Sequence, residues 1–125
     1  MSSPDDRRYS QTHEWYKSEG DVVTVGISQF AVDELTDITF LEVLTTEGPI
    51  SKGEAFGEIE SVKATSEVYS AIDGEVVAVN QEAVDNPALL NEDPYGKGWL
   101  IQVRPSDASQ LEALMDAEQY DQQQA

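Results

Sequence analysis

The stretch Gly57–Ser70 reads GEIESVKATSEVYS and holds one lysine, Lys63, between two segments of strand composition. Apolar Phe56, Ile59, Val62, Val68 and Tyr69 are spaced irregularly around polar residues, and Gly74 closes the second half. Pairing the two halves as a hairpin leaves Lys63 alone at the tip, pushed into solvent. A lone exposed amine on a rigid finger suits the tethering of a swinging group. Turn propensity does not by itself demand this hairpin. Two-residue loops prefer Asn-Gly, Asp-Gly or Gly-Gly because the favoured turns require positive φ, and Val62-Lys63-Ala64 offers none of these.

Outward from that stretch, 125 residues suit one domain, residues 1–125, able to bury roughly two thirds of its unfolded surface. The formal charge of −18 is the dominant compositional fact, with 25 acidic side chains against seven basic ones, four of them lysines. Nucleic acid and anionic membrane surfaces need basic patches, so both are excluded as partners. Such a charge loosens a compact state by self-repulsion. At about 1 M salt the Debye length falls to about 3 Å and distant carboxylates hardly feel each other. Acid excess with few lysines therefore points to a halophile as source. The absence of cysteine excludes disulfides, thiolate zinc sites and cysteine nucleophiles. MSSPDDRRY lacks the apolar core of a secretory signal, and no apolar run approaches the ~20 residues of a membrane span. These features together predict a soluble cytoplasmic protein.

In chain order, residues 1–8 read as a loose polar tail. Tyr9–Lys17 and Val22–Val25, separated by the turn signal Ser18-Glu19-Gly20-Asp21, read as a first hairpin. Ser28 is a good N-cap for a short helix to Thr36, with Phe30, Ala31 and Leu35 at near-helical spacing. Ile38–Leu44 returns to strand composition, and Thr45–Gly53 is a loop broken by Gly48-Pro49 and Gly53. After the Lys63 hairpin, Asp73-Gly74 turns the chain into the strand Glu75–Val79. Asn80–Gly98 is a long connection holding one or two helical turns, and Trp99–Val103 is the last strand. Residues 106–125 read as a C-terminal helix carrying Leu111, Leu114 and Met115 on one face, dissolving into a glutamine tail. Several short strands with little helix predict a mainly β sandwich or barrel.

Glu60-Ser61-Val62-Lys63-Ala64, followed by Val68-Tyr69-Ser70 and Gly74-Glu75-Val76, resembles the lipoyl-attachment hairpin of the glycine cleavage system H protein. His13-Glu14-Trp15, Gly26-Ile27 with Phe30-Ala31, Asn86-Pro87, Asn91–Gly96 and Gly98–Ile101 resemble landmarks of that family in family order, covering about Tyr9 to Asp107. Lipoyl domains of 2-oxoacid dehydrogenases and biotin carriers share the hairpin, but usually carry Asp-Lys-Ala or Met-Lys-Met and lack HEW and NEDPYG. The chain departs from the family at Ala71, where proline is frequent, and at Glu34, where some members have histidine. The resemblance implies a lipoyl/biotinyl-type barrel-sandwich hybrid and a carrier that is not itself an enzyme. Lipoate on Lys63, put there by a lipoate-attaching enzyme, would take an aminomethyl group from the pyridoxal-phosphate glycine decarboxylase. The tetrahydrofolate-dependent aminomethyltransferase would receive it, and a flavin dihydrolipoyl dehydrogenase using NAD would reoxidise the arm. Glu60, Ser61, Val62 and Ala64 flank the attachment point. Glu14, Glu67 and Glu34 are the candidates to contact the arm, a carboxylate suiting a protonated amine.

Other readings of the same residues stay open here. Most lysines are simply solvated, and Glu60 and Glu67 nearby keep Lys63 charged, which suits an acceptor modified by a separate ligase better than a self-activated nucleophile. Single His13 supports neither a metal cluster nor a Ser-His-Asp arrangement, and reads as structural. Trp15, Trp99 and Phe56 read as core. Gly96-Lys97-Gly98 is not a phosphate loop, and Asn91, Asp93 and Asp85 do not match calcium-loop spacing. A lipoyl relay protein donating lipoate to 2-oxoacid dehydrogenase complexes would carry an identical hairpin. A plain interaction module would leave Lys63 bare. The charge reading is directly testable: the melting temperature should rise from dilute buffer to molar KCl, and an unchanged value in circular-dichroism melts would count heavily against a salt-adapted surface.

Overall fold

The computed structural model describes residues 3–124. The elements run β1 (Arg8–Tyr9), β2 (Glu14–Glu19), β3 (Val22–Ile27), α1 (Gln29–Leu35), β4 (Ile38–Val43), β5 (Gly48–Ile50), β6 (Ala55–Ser61), β7 (Thr65–Tyr69), β8 (Gly74–Val79), α2 (Gln81–Asp85), α3 (Ala88–Glu92), β9 (Ile101–Pro105), α4 (Ser109–Glu112) and α5 (Ala117–Gln124). The strands make two antiparallel sheets, ordered β1-β2-β3-β9-β8-β5 and β4-β6-β7. Period-two alternation sends Val23, Val25, Val76, Ile101 and Val103 from the larger sheet, and Leu41, Ile59 and Val68 from the smaller, into one core. A bulge between Ile38 and Phe40 keeps Ile38 and Leu41 inside while Phe40 stays out, and a second between Ala55 and Gly57 buries Phe56 and Gly57 together. The helices α2 and α3, in the long connection expected from the sequence, cover β4 with Ala83, Leu89 and Leu90.

A smaller aromatic cluster closes the other end. Tyr9, Trp15 and Tyr120 are buried with Ala117, and Tyr95, Trp99 and Met115 pack against them. The Arg7 guanidinium lies 4.6 Å from the centre of the Trp15 ring. Gly26 pairs with Trp15 across β2 and β3, and a Cβ there would fall 2.5 Å from the indole, so only glycine lets the ring lie flat on the strand.

Three expectations are corrected. Residues from Ser3 onward are not a loose tail: Ser3 donates to Asp121 from its amide at 3.0 Å and its hydroxyl at 2.6 Å, and the Tyr9 hydroxyl donates to the Pro4 carbonyl at 2.6 Å. The C-terminal region is two short helices rather than one. Met115 exchanges backbone hydrogen bonds with Tyr9, Tyr9 N to Met115 O at 2.8 Å and Met115 N to Tyr9 O at 3.0 Å, which a continuous helix could not allow. A capping box between Asp116 and Gln119 then restarts the helix, which runs on through the glutamines to Gln124. The loop Thr45–Gly53 contains a short strand, Gly48–Ile50, pairing with β8.

His13 is the hinge between these parts. It turns the chain into β2 at φ 76°, packs against Phe30 with ring centroids 4.7 Å apart and planes tilted by 39°, and places Nδ1 2.7 Å from the Tyr120 hydroxyl. That hydroxyl lies 2.6 Å from Ser28 Oγ, which accepts from the Ala31 amide at 3.2 Å as the cap of α1. Burial, outweighing the opposing pull of the Glu34 charge, holds the His13 imidazole below its ordinary value, and burial pushes the Tyr120 hydroxyl up to about 12. A neutral His13 is therefore part of the folded state. Its contribution is complete above about pH 6.5, the unfolded value, and is lost as pH falls from there through the lower folded value. Expected is a single imidazole resonance titrating below 6.5, with a stability gap between the native chain and His13→Asn that narrows as the pH is lowered.

Candidate functional site

The β6–β7 hairpin forms as the resemblance implied, with Glu60 opposite Thr65 and Glu58 opposite Glu67. Its turn is made by a serine rather than by glycine. Ser61 N donates to Ala64 O at 2.8 Å, while Ser61 Oγ accepts from the amides of Lys63 at 3.1 Å and Ala64 at 3.0 Å. A side-chain oxygen thus gathers the tip amides, a task Ser hydroxyls perform in turns. From outside, Val62 N donates to Asp37 O at 3.0 Å and Thr39 Oγ1 to Glu60 O at 3.3 Å, so the tip is braced against the start of β4. Val62 and Lys63 are exposed, and among the described residues Lys63 forms no ion pair. The amine is presented, and the backbone beneath it is held.

At the other end of β7 a cleft of about 670 Å³ opens between the Tyr69–Ala71 segment, the Tyr9–Thr12 segment, Lys52-Gly53 and Ala113–Met115. Glu14 stands behind its wall. The carboxylate accepts from Ser10 Oγ at 2.6 Å and from Thr12 Oγ1 through one oxygen, and from the Tyr69 amide at 3.1 Å through the other. At 1% exposure Glu14 does not face solvent, whereas Ser10 and Thr12 line the cleft. Burial holds its carboxyl above the usual carboxylate range, against those three hydrogen bonds, which pull it back. Tyr16, two residues on, accepts from the Ala71 amide at 2.9 Å and donates to the Tyr69 carbonyl at 3.1 Å.

Of the acids singled out in sequence, none lines the cleft, and only Glu14 is bonded to residues that do, Ser10, Thr12 and Tyr69. Glu34 is exposed on α1, and Glu67 is exposed on β7 with the Tyr69 hydroxyl donating to it at 3.4 Å. Neither lines the cleft. Sequence reading missed Ser10, Thr12, Tyr69 and Lys52. The one available signal was the i, i+2, i+4 spacing of Ser10, Thr12 and Glu14 before the first long strand. Beside Lys63, the outer face of the smaller sheet sets Glu42, Glu58 and Glu67 directly opposite one another across three strands. Opposed like charges destabilise by roughly 0.2–1 kcal/mol per pair. Glu58→Gln, removing the middle charge and with it both pairs, should therefore raise stability by about twice that amount in dilute buffer, and the gain should shrink in molar KCl. Denaturant melts at the two salt concentrations measure it.

A β-fold presenting one lysine on a braced tip, with a cleft at the root of the same hairpin, defines the class of carrier proteins. The chain belongs to the glycine cleavage H-protein family, whose profile, described as "Glycine cleavage H-protein", matches residues 7–125. A glycine cleavage system H protein from Bacillus licheniformis is 51% identical over 121 residues, covering 97% of this chain and 95% of its own length. Another, from Anoxybacillus flavithermus, is 50% identical over 122 residues, covering 98% and 96%. The crystal structure of a glycine cleavage system H protein from Mycobacterium marinum superposes with a TM-score of 0.88 at 38% identity, covering 97% of this chain and 98% of that one. The chain is an H-protein component of the glycine cleavage system.

Proposed function

We propose that Lys63 is the attachment point and that the carrier works as an aminomethyl shuttle. The observation that carries this reading is an exposed amine, in no ion pair among the described residues, on a tip fixed by Ser61 and Asp37, with a cleft backed by a buried carboxylate at the root of the same hairpin. Acylation of Nζ by a lipoate-attaching enzyme removes the lysine charge. When bound, lipoate supplies the sulfur that accepts the aminomethyl group. The residues of this chain do the rest. Ser61 and the Asp37 carbonyl hold the tip, so the arm swings from a fixed point. A tethered arm converts encounters with partners into a high effective concentration.

The cleft shelters what the arm carries from water. Glu14 supplies negative charge behind the wall, and Ser10 and Thr12 stand between it and the cleft, so a cationic amine is stabilised through their hydroxyls. Glu34 and Glu67 stay outside and contribute general negative potential. The partners on this reading are glycine decarboxylase with pyridoxal phosphate, the tetrahydrofolate aminomethyltransferase, and the flavin dihydrolipoyl dehydrogenase. Protein isolated from its native cells should carry a lipoyl group on the Lys63 peptide by mass spectrometry and support glycine–bicarbonate exchange with the decarboxylase. Lys63→Arg should lose both while melting at the native temperature. An unmodified native peptide, or an active Lys63→Arg protein, would overturn the proposal.

A further inference from the structure

Thr36 occupies a conformation that β-branched residues avoid. After α1 it sits at φ 65°, ψ −137°. A β-branched residue there persists only where its surroundings over-determine it. The Thr36 amide caps α1 by donating to the Val32 carbonyl at 2.9 Å, and its carbonyl side is held by one side chain of α3. Asn91 Nδ2 donates to the Thr36 carbonyl at 2.7 Å, and Asn91 Oδ1 accepts from the Ile38 amide at 2.9 Å. Both ends of the amide are used, and they bracket a single residue, Asp37. The Asp37 carbonyl left between them is the one that accepts from the Val62 amide at 3.0 Å, one residue before Lys63. Asn91 itself is steadied by its helix, where the buried Leu89 and Leu90 pack in the core.

We propose that Asn91 is a positioning residue for Lys63: by clamping Thr36 and Ile38 it aims the Asp37 carbonyl at the hairpin tip, so that the lysine is offered to its modifying enzyme in one orientation. The last clause rests on the attachment reading above, but the clamp itself does not. With Asn91 gone, Thr36 relaxes out of its strained conformation and the Asp37 carbonyl turns away from Val62. The tip then rests on the Ser61 contacts and the Thr39–Glu60 bond, without the Asp37 brace. Glycine at position 36 adopts the required angles without strain, so it should substitute for the clamp.

The test uses the full chain with Lys63 unmodified, as the native sequence, Asn91→Ala, Thr36→Gly and the double variant. Amide exchange followed by NMR should show the Val62 amide of Asn91→Ala exchanging at least about tenfold faster, corresponding to about 1.4 kcal/mol, with core amides of β6 unchanged. The double variant should recover most of that protection, and Thr36→Gly alone should keep Val62 protected and melt higher than the native chain. With a lipoate ligase, Asn91→Ala should raise KM for the protein substrate severalfold with little change in kcat, and the double variant should reverse it. An unchanged Val62 amide, a Val62 amide exposed only in step with the β6 core, or no recovery in the double variant would each overturn the clamp. The exchange measurement needs no ligase. A chain never lipoylated on Lys63 would still show the clamp, and a failed clamp would leave the attachment result standing.

Discussion

The hydrogen bond from the Tyr69 amide to the buried Glu14 carboxylate fastens the smaller sheet to the larger one. Glu14 opens β2 and Tyr69 ends β7, so the bond ties the root of the Lys63 hairpin to the first long strand. Its Tyr16 companion grips the two peptides that follow, at the Tyr69 carbonyl and the Ala71 amide. A carboxylate out of water costs several kcal/mol unless its oxygens are satisfied. Here Ser10, Thr12 and a backbone amide satisfy them. The hairpin is therefore held at both ends, by an acid at its root and by a backbone carbonyl near its tip. Between them it has little freedom to bend.

Charge works against this arrangement everywhere else. A chain at −18 concentrates carboxylates on the face that flanks Lys63, where Glu42, Glu58 and Glu67 stand in one row. Surface pairs offer little relief, since among the described residues the ion pairs are Arg7–Asp6, Lys17–Asp6 and Arg104–Glu75. Stability has to come from the core shared by the two sheets and from the aromatic cluster at the chain ends. Arg7 is used more economically. Its guanidinium stacks over Trp15 and Tyr95 while donating to the Tyr95 carbonyl at 2.9 Å.

The β-branched runs of β3 and β8, the Ser28 cap and the helical turns after Asn80 were legible because each follows from local chemistry. The Lys63 turn was legible only by resemblance, because its chemistry lies in a serine hydroxyl rather than in a positive-φ residue. The short strand Gly48–Ile50 was hidden by its breakers: a strand ending on the edge of a sheet tolerates Pro49 where an inner one would not. The C-terminal region misled because Leu111, Leu114 and Met115 share a helical stripe, yet Met115 is claimed by the backbone of Tyr9. The tail was misread for a related reason. Polar residues look loose until a partner such as Asp121 is known. Glu14, Glu34 and Glu67 are equally acidic in one dimension, and only the fold separates the one that is buried from the two that are not.

Ser3 and Tyr9 near one terminus are bonded to Asp121 and Met115 near the other. Segments more than a hundred residues apart in sequence are thus stitched together on the side of the aromatic cluster. Mechanical load applied to the two ends would meet that stitch first and peel α5 and β1 apart before any tension reached the strands beneath Lys63.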